Sequence, residues 1–228
     1  MGEAVVQVIP LGIAVAFSPL PVIAVVLILA TPSGRGNAVA FAAGGLAAVV
    51  VITAVATVVL GAAGAGEGGG EDPAAWVSVG RIALGALLLR FAAGQWRGRP
   101  RSGDPAPDLP GWMQRVEALT PARAVGAGML LCGVNPKNLV LILAAAAAIA
   151  AAGGDTADEV AALAAFAGLA MLGVLMPIAA SVLLGERADA ALDAVREWMV
   201  RKSAAIVAVI VALIAVKLIA DGVGGLTG

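Results

Sequence analysis

Two short segments carry the residue types best placed to do chemistry. Ser18-Pro19-Leu20-Pro21 and Asn135-Pro136-Lys137-Asn138 each set small polar side chains beside proline in the middle of a long apolar run. Proline has no backbone N–H and clashes with the carbonyl four residues earlier, so carbonyls before Pro19, Pro21 and Pro136 lose their helical donors. In hydrocarbon such groups must be satisfied by something else. Ser18, Asn135 and Asn138 can do so locally. Alternatively the breaks face a cavity, and the helices that follow present free N–H groups and a positive dipole end to a ligand.

Lys137 is the most informative of these residues. It lies about 15 residues into a span of roughly 29, so at about 1.5 Å per residue its stem reaches neither surface easily. Intramembrane ions serve function by default and need a partner. No Asp or Glu occupies the interior of any predicted span. The counter-charge must therefore come from an anionic ligand or headgroup, from backbone carbonyls with Asn135 and Asn138, or from neutralisation of the amine. Arg90 and Lys217 lie nearer the ends of their spans, where a long side chain snorkels to the surface. Turned inward they would join a basic cavity suited to carboxylate, sulfate or phosphate. Arg35 and Asn37 open the second span and are candidate loop or gating residues. The candidate substrate-binding set is thus Ser18, Pro19, Pro21, Asn135, Pro136, Lys137 and Asn138, with Arg90 and Lys217.

These residues have to be positioned by membrane helices. Of 228 residues, 61% are hydrophobic and 13% charged, and the mean hydropathy is +1.01, whereas a soluble domain carries about 25% charged residues. Runs long enough to cross a hydrocarbon core of about 30 Å fall near 5–30, 38–62, 76–96, 122–150, 158–184 and 201–220. The first run lacks a basic leader region and holds mid-span prolines, so it is expected to be retained and not cleaved. Gly64–Asp72 separates spans two and three, and Pro100–Pro110 separates three and four.

Ten of the 14 Lys+Arg lie in segments 31–37, 97–123 and 185–202, while the opposite segments are acidic. Under the positive-inside rule both termini of this multi-pass protein lie outside the cytoplasmic membrane. Trp76, Trp96 and Trp198 fall at predicted span ends and read as interfacial anchors. Trp112–Leu119 and Ala190–Met199 have one apolar face each. They read either as surface-lying amphipathic helices or as continuations of spans four and six.

Other chemistry is excluded by composition. The chain has no histidine and one cysteine, which removes imidazole or thiolate metal sites, histidine-based triads and internal disulfides. No phosphate-binding loop of the Gly-rich Lys-Ser/Thr type occurs. Neither enzymatic activity nor a cofactor is expected, and nucleic acid is not an expected partner. Proton-driven carriers usually rely on intramembrane Asp, Glu or His; here only Lys137 could titrate.

The proline breaks of spans one and four, Gly45-Leu46-Ala47 and Gly168-Leu169-Ala170 in spans two and five, and Arg90 and Lys217 in spans three and six recur in one order. The chain thus divides into two three-helix units, 1–110 and 111–228, within one membrane domain. An odd number of spans per unit inverts the second relative to the first. Many carriers alternate access in this way, with the substrate at midplane helix breaks. The expected fold is an all-α membrane protein of six spans in two inverted repeats, broken in helices one and four.

Phe17-Ser18-Pro19-Leu20-Pro21-Val22-Ile23, Thr31-Pro32-x-Gly34-Arg35-x-Asn37-Ala38 and Asn135-Pro136-Lys137-Asn138 resemble segments of the LysE-type exporter superfamily. The resemblance is closer to its Gap-like branch, the peptidoglycolipid- or sulfolipid-addressing proteins, and covers nearly the whole chain. The superfamily resemblance implies export of amino acids or other small solutes by exchange with protons or ions. The branch implies a part in moving complex envelope lipids to the cell surface. A basic, carboxylate-free interior suits an anionic headgroup better than a cationic amino acid, which favours a transporter of anionic or glycosylated envelope lipids. An exporter of amino-acid-like solutes and a non-transporting scaffold of a lipid-export complex are the alternatives. Membrane lipids and envelope lipid-export machinery are the expected partners, and six spans are compatible with a homo-oligomer.

Overall fold

The computed structural model describes residues 2–62, 75–98, 119–185 and 188–227. The regular elements among them are all helical: α1 (Gly2–Ala16), α2 (Pro19–Leu29), α3 (Gly34–Ala62), α4 (Ala75–Arg97), α5 (Pro121–Gly128), a π-helical segment (Met129–Val134), α6 (Pro136–Ala151), α7 (Thr156–Leu184) and α8 (Ala188–Thr227). The breaks expected at Gly64–Asp72 and Pro100–Pro110, and all but the last residue of Trp112–Leu119, lie outside the described residues.

Local sequence sets the helix ends. Asp155 caps α7 by accepting from the Asp158 amide at 2.9 Å, and Asp158 and Glu159 in the first turn complement its dipole. At the far end of α7, Gly185 takes φ 56°, a left-handed conformation that glycine adopts without a Cβ penalty. Thr120 caps α5, with Pro121 at the first helical position, where a missing N–H costs nothing.

By length and composition α3, α7 and the Ala204–Leu226 part of α8 can each cross a membrane. Among the described residues the count rises to five if α1 with α2, and α5 and the π-segment with α6, are each one bent span. Six were expected. The sixth expected span corresponds to α4, a 23-residue helix that is not among these five.

Small residues bring the helices together. Gly12 of α1 faces Leu169 and the Phe166 carbonyl of α7, and Gly173 of α7 faces the Ala16 carbonyl. Residue numbers rise together along this pair, so α1 and α7 run parallel. Gly128 faces the Phe41 carbonyl, and Gly133 faces Ala48 and Ile52, so α5 and the π-segment run parallel to α3. By contrast α4 and α8 are antiparallel, because Gly85 meets Ala215 and Ile219 while Gly222 meets Ser78 and Ile82. Close backbone approach at glycine is the usual basis of packing between helices in lipid, where dispersion replaces the hydrophobic effect. One apolar core runs through both halves of the chain, with Leu11, Ile28, Phe41, Leu88, Leu141, Ile142, Phe166 and Val211 all buried.

The last helix is longer than the span expected at 201–220. At its start, Ala190–Met199 continues directly into the span, which settles its two readings in favour of continuation. At its end, helix persists past Asp221-Gly222. Lys217 bonds Asp221 one turn on at 2.8 Å, and Gly222 is held against α4. Trp198, expected as an interfacial anchor, packs its ring on Phe17 at a centroid distance of 5.7 Å.

Candidate functional site

Both proline segments interrupt their helices. The chain bends by 53° between α1 and α2 and by 62° between the π-segment and α6. At Ser18 the backbone is extended, with φ −85° and ψ 111°, and at Asn135 φ is −53° and ψ 125°. Pro19 and Pro136 then take the first positions of α2 and α6, where the fixed φ of proline suits a helix start.

The two caps differ in their bonding. Asn135 Oδ1 accepts from the Lys137 amide at 3.1 Å, an ordinary capping bond. Ser18 Oγ makes no capping bond. A capping oxygen takes its donor from the second or third helical residue; Asn135 uses the second, whereas at Ser18 the third is Pro21, which has no donor, and the Leu20 amide at the second makes no bond to Oγ.

The carbonyls freed by the prolines find unequal partners. The Val15 carbonyl, deprived of a donor at Pro19, accepts from the Ser18 amide at 2.9 Å. The Cys132 carbonyl, deprived of Pro136, accepts from Asn138 Nδ2 at 3.0 Å, and the same amide reaches the Leu131 carbonyl at 3.2 Å. In a continuous helix the Phe17 carbonyl would be served by residue 21. It accepts instead from Lys137 Nζ at 3.1 Å, across 120 residues of sequence. One ammonium from the second break thus bonds a carbonyl of the first.

Asn135 and Asn138 were expected to help satisfy the ammonium. They do not: Asn135 Oδ1 is taken by the α6 amide, Asn138 Nδ2 donates to the π-segment carbonyls, and Asn138 Oδ1 accepts from neither the ammonium nor any other group. An ammonium has three donors; among the described residues Phe17 is the one acceptor bonded to Lys137.

Ser18 and Asn138 are only 2% and 1% exposed, yet Ser18 Oγ and Asn138 Oδ1 have no hydrogen-bond partner. Both line a cavity of about 10 Å³ between the breaks, with Pro21, Cys132, and Ala170, Gly173 and Val174 of α7. That volume is the size of about one water. Gly173 meets α1 just past the middle of α7, so the site stands near half-height of that helix.

The π-segment keeps the two breaks comparable. Gly12 lies six residues before Ser18, and Gly128 lies seven before Asn135. Wider π-winding absorbs one extra residue, so each glycine still reaches its crossing, Gly12 on α7 and Gly128 on α3.

The remaining candidates lie elsewhere. Lys217 is 66% exposed and paired with Asp221, so it is not part of a basic cavity at the breaks. Asp221, which the sequence places in the acidic outer segment past residue 220, is its partner one turn on because the helix continues through it. Arg90 is exposed on α4 and lines a different groove. Arg35 donates to the Ser181 carbonyl at 3.2 Å, tying α3 to the end of α7. Buried Asn37 donates to the Leu119 carbonyl at 2.8 Å, tying α3 to the residues before α5. Phe17 went unrecognised as a site residue, although its place four residues before Pro21 marked its carbonyl as free. Ala170, Gly173 and Val174 carried no such signal, since helix periodicity does not say which neighbour a buried face meets.

Searches for similar curated proteins and for similar solved structures each returned no match. A family model described as Sap, sulfolipid-1-addressing protein, matches residues 8–224. Nearly the whole chain, both proline breaks included, is covered by that match, and the protein belongs to the sulfolipid-1-addressing protein family.

Proposed function

We propose that the protein is a transporter that moves an anionic or glycosylated envelope lipid, or its headgroup-bearing precursor, across or out of the cytoplasmic membrane by alternating access. Family membership suggests a role in lipid export or localisation. The observation that carries the transport reading is the bond from Lys137 Nζ to the Phe17 carbonyl. It joins the two helix breaks through a cation that has donors to spare for an anionic headgroup.

The architecture we infer is six spans in two inverted repeats, both termini outside. The packing supports it: α1 against α7 and α5 with the π-segment against α3 are both parallel, and α4 against α8 is antiparallel. Those are the relative directions that six single crossings would produce. Alternating access in such folds rocks one repeat against the other around a site at the breaks. The cavity between the breaks holds about one water and is far too small for a headgroup, so this conformation is the closed one. Opening would separate Lys137 from Phe17 and hand the ammonium to the substrate.

The test is transbilayer movement of a fluorescent sulfated glycolipid in vesicles containing the purified protein. The wild type is expected to accelerate it and Lys137→Ala to abolish the acceleration with helix content unchanged. Equal rates for the two proteins would refute the reading. Movement in neither, with lipid delivery in cells intact, would favour the scaffold. Counterflow of an amino acid would favour the solute exporter.

A further inference from the structure

A second feature lies away from the breaks. Leu87, Arg90, Phe91, Gly94, Gln95 and Arg97 of α4 and Val140 of α6 line an open groove of about 460 Å³, within the usual range for ligand sites of roughly 300–1,000 Å³. Residues 87, 90, 94 and 97 recur at helical spacing and form one stripe. Leu88 and Ala92 are buried on the opposite side, where Gly85 meets α8. The stripe therefore faces away from α8, towards α6 and the membrane.

The charge on this stripe is uncompensated. Among the described residues neither Arg90 nor Arg97 has a hydrogen-bond or ion-pair partner, and α4 and α6 contain no Asp or Glu. Arg90 lies two turns in from the end of α4, where an unpaired guanidinium is costly in lipid. A planar guanidinium binds phosphate oxygens through paired hydrogen bonds. Leu87, Phe91 and Val140 meanwhile offer an apolar wall suited to hydrocarbon, so two cations and that wall make a site amphiphilic in the manner of a lipid.

We propose that this groove binds an anionic glycerophospholipid of the leaflet in which α4 ends, its phosphate held by Arg90 and Arg97 and its acyl chain laid on Leu87, Phe91 and Val140. The site is distinct from the breaks and stands whether or not Lys137 handles cargo. It does adjoin them: Val140 follows Lys137 by three residues on one face of α6, so a lipid here lies beside the helix that carries the ammonium.

The experiment is native mass spectrometry of the full-length protein in detergent, titrated with phosphatidylglycerol and with phosphatidylcholine. Two variants are compared with the wild type: Arg90→Gln with Arg97→Gln, and Gly94→Leu. Gly94 lines the groove and a Cβ added there meets nothing within 4 Å, so leucine starts into open space on the groove wall. The wild type is expected to prefer phosphatidylglycerol. The double arginine variant and Gly94→Leu should each weaken its binding by about tenfold or more. Unchanged binding in the arginine and glycine variants overturns the proposal. A wild-type dimer lost in Gly94→Leu with no lipid effect also overturns it, and assigns the groove to a second copy. Failure of Lys137→Ala alone in lipid movement bears on the transport reading and leaves the groove untouched.

Discussion

Replacing Lys137 by methionine separates a working cation from a structural strut. The side chain keeps its length and loses its charge. A lysine at the centre of a membrane helix costs about 2.5–3.5 kcal/mol on insertion scales, and methionine removes that cost. Against this stands the bond from Nζ to the Phe17 carbonyl, since hydrogen bonds to charged groups contribute about 1.5–3 kcal/mol. The two effects nearly offset. Lys137→Met should therefore lie between unchanged stability and about 2 kcal/mol of added stability, while losing lipid movement altogether. Reversible unfolding in bicelles by titration with denaturing detergent measures the first quantity, and the vesicle assay measures the second. Gained stability with lost activity is the signature of a residue kept for function. If the variant were destabilised by more than about 2 kcal/mol, the lysine would be a strut holding the first break, and the reasoning that makes its ammonium available to a headgroup would be refuted.

Other substitutions probe the fold that holds the breaks. Gly128→Ala sets a Cβ against the Phe41 carbonyl, a backbone atom that cannot turn away, and should destabilise by about 1–3 kcal/mol; Gly94→Ala, which meets nothing, should stabilise by about 0.5–1 kcal/mol in the same unfolding measurement. Asn37→Ala leaves the Leu119 carbonyl without its donor and should cost about 1–3 kcal/mol. Arg35→Ala breaks only an exposed bond to Ser181, and loss of more than about 1 kcal/mol there would contradict its peripheral role. Trp198→Ala removes the ring pair with Phe17 and should cost about 0.5–1.5 kcal/mol beyond lost area, measurable in a double-mutant cycle with Phe17→Leu.

Much of the site was legible because proline acts locally. Pro19 and Pro136, each next to a small polar residue, start new helices after a break, whereas Pro10 and Pro177 lie within α1 and α7 without ending them, so the polar partner marked the breaks as much as the proline did. Asn135 caps α6 for an equally local reason. Lys137 was conspicuous because a charge deep in an apolar run needs a partner. The identity of that partner was beyond sequence reasoning. Phe17 is 120 residues away, and a ligand anion, a carbonyl or neutralisation of the amine all satisfy the sequence; only the packing of the two breaks selects this carbonyl. The same limit explains Lys217, whose bond to Asp221 depended on how far the last helix ran, and Trp198, whose ring contact joins α8 to the first break.

The division has one physical cause. Apolar composition, proline chemistry and the spacing of glycine act within a few residues, so the sequence by itself determined a helical membrane protein interrupted at Pro19 and Pro136. Which helix each glycine meets, which carbonyl Lys137 takes, and that Arg90 and Arg97 share an open groove while Ser18 and Asn138 share a closed cavity depend on contacts between distant segments. Lipid imposes little hydrophobic ordering on helices that are apolar all round. Only close packing in three dimensions chose among the faces they could present.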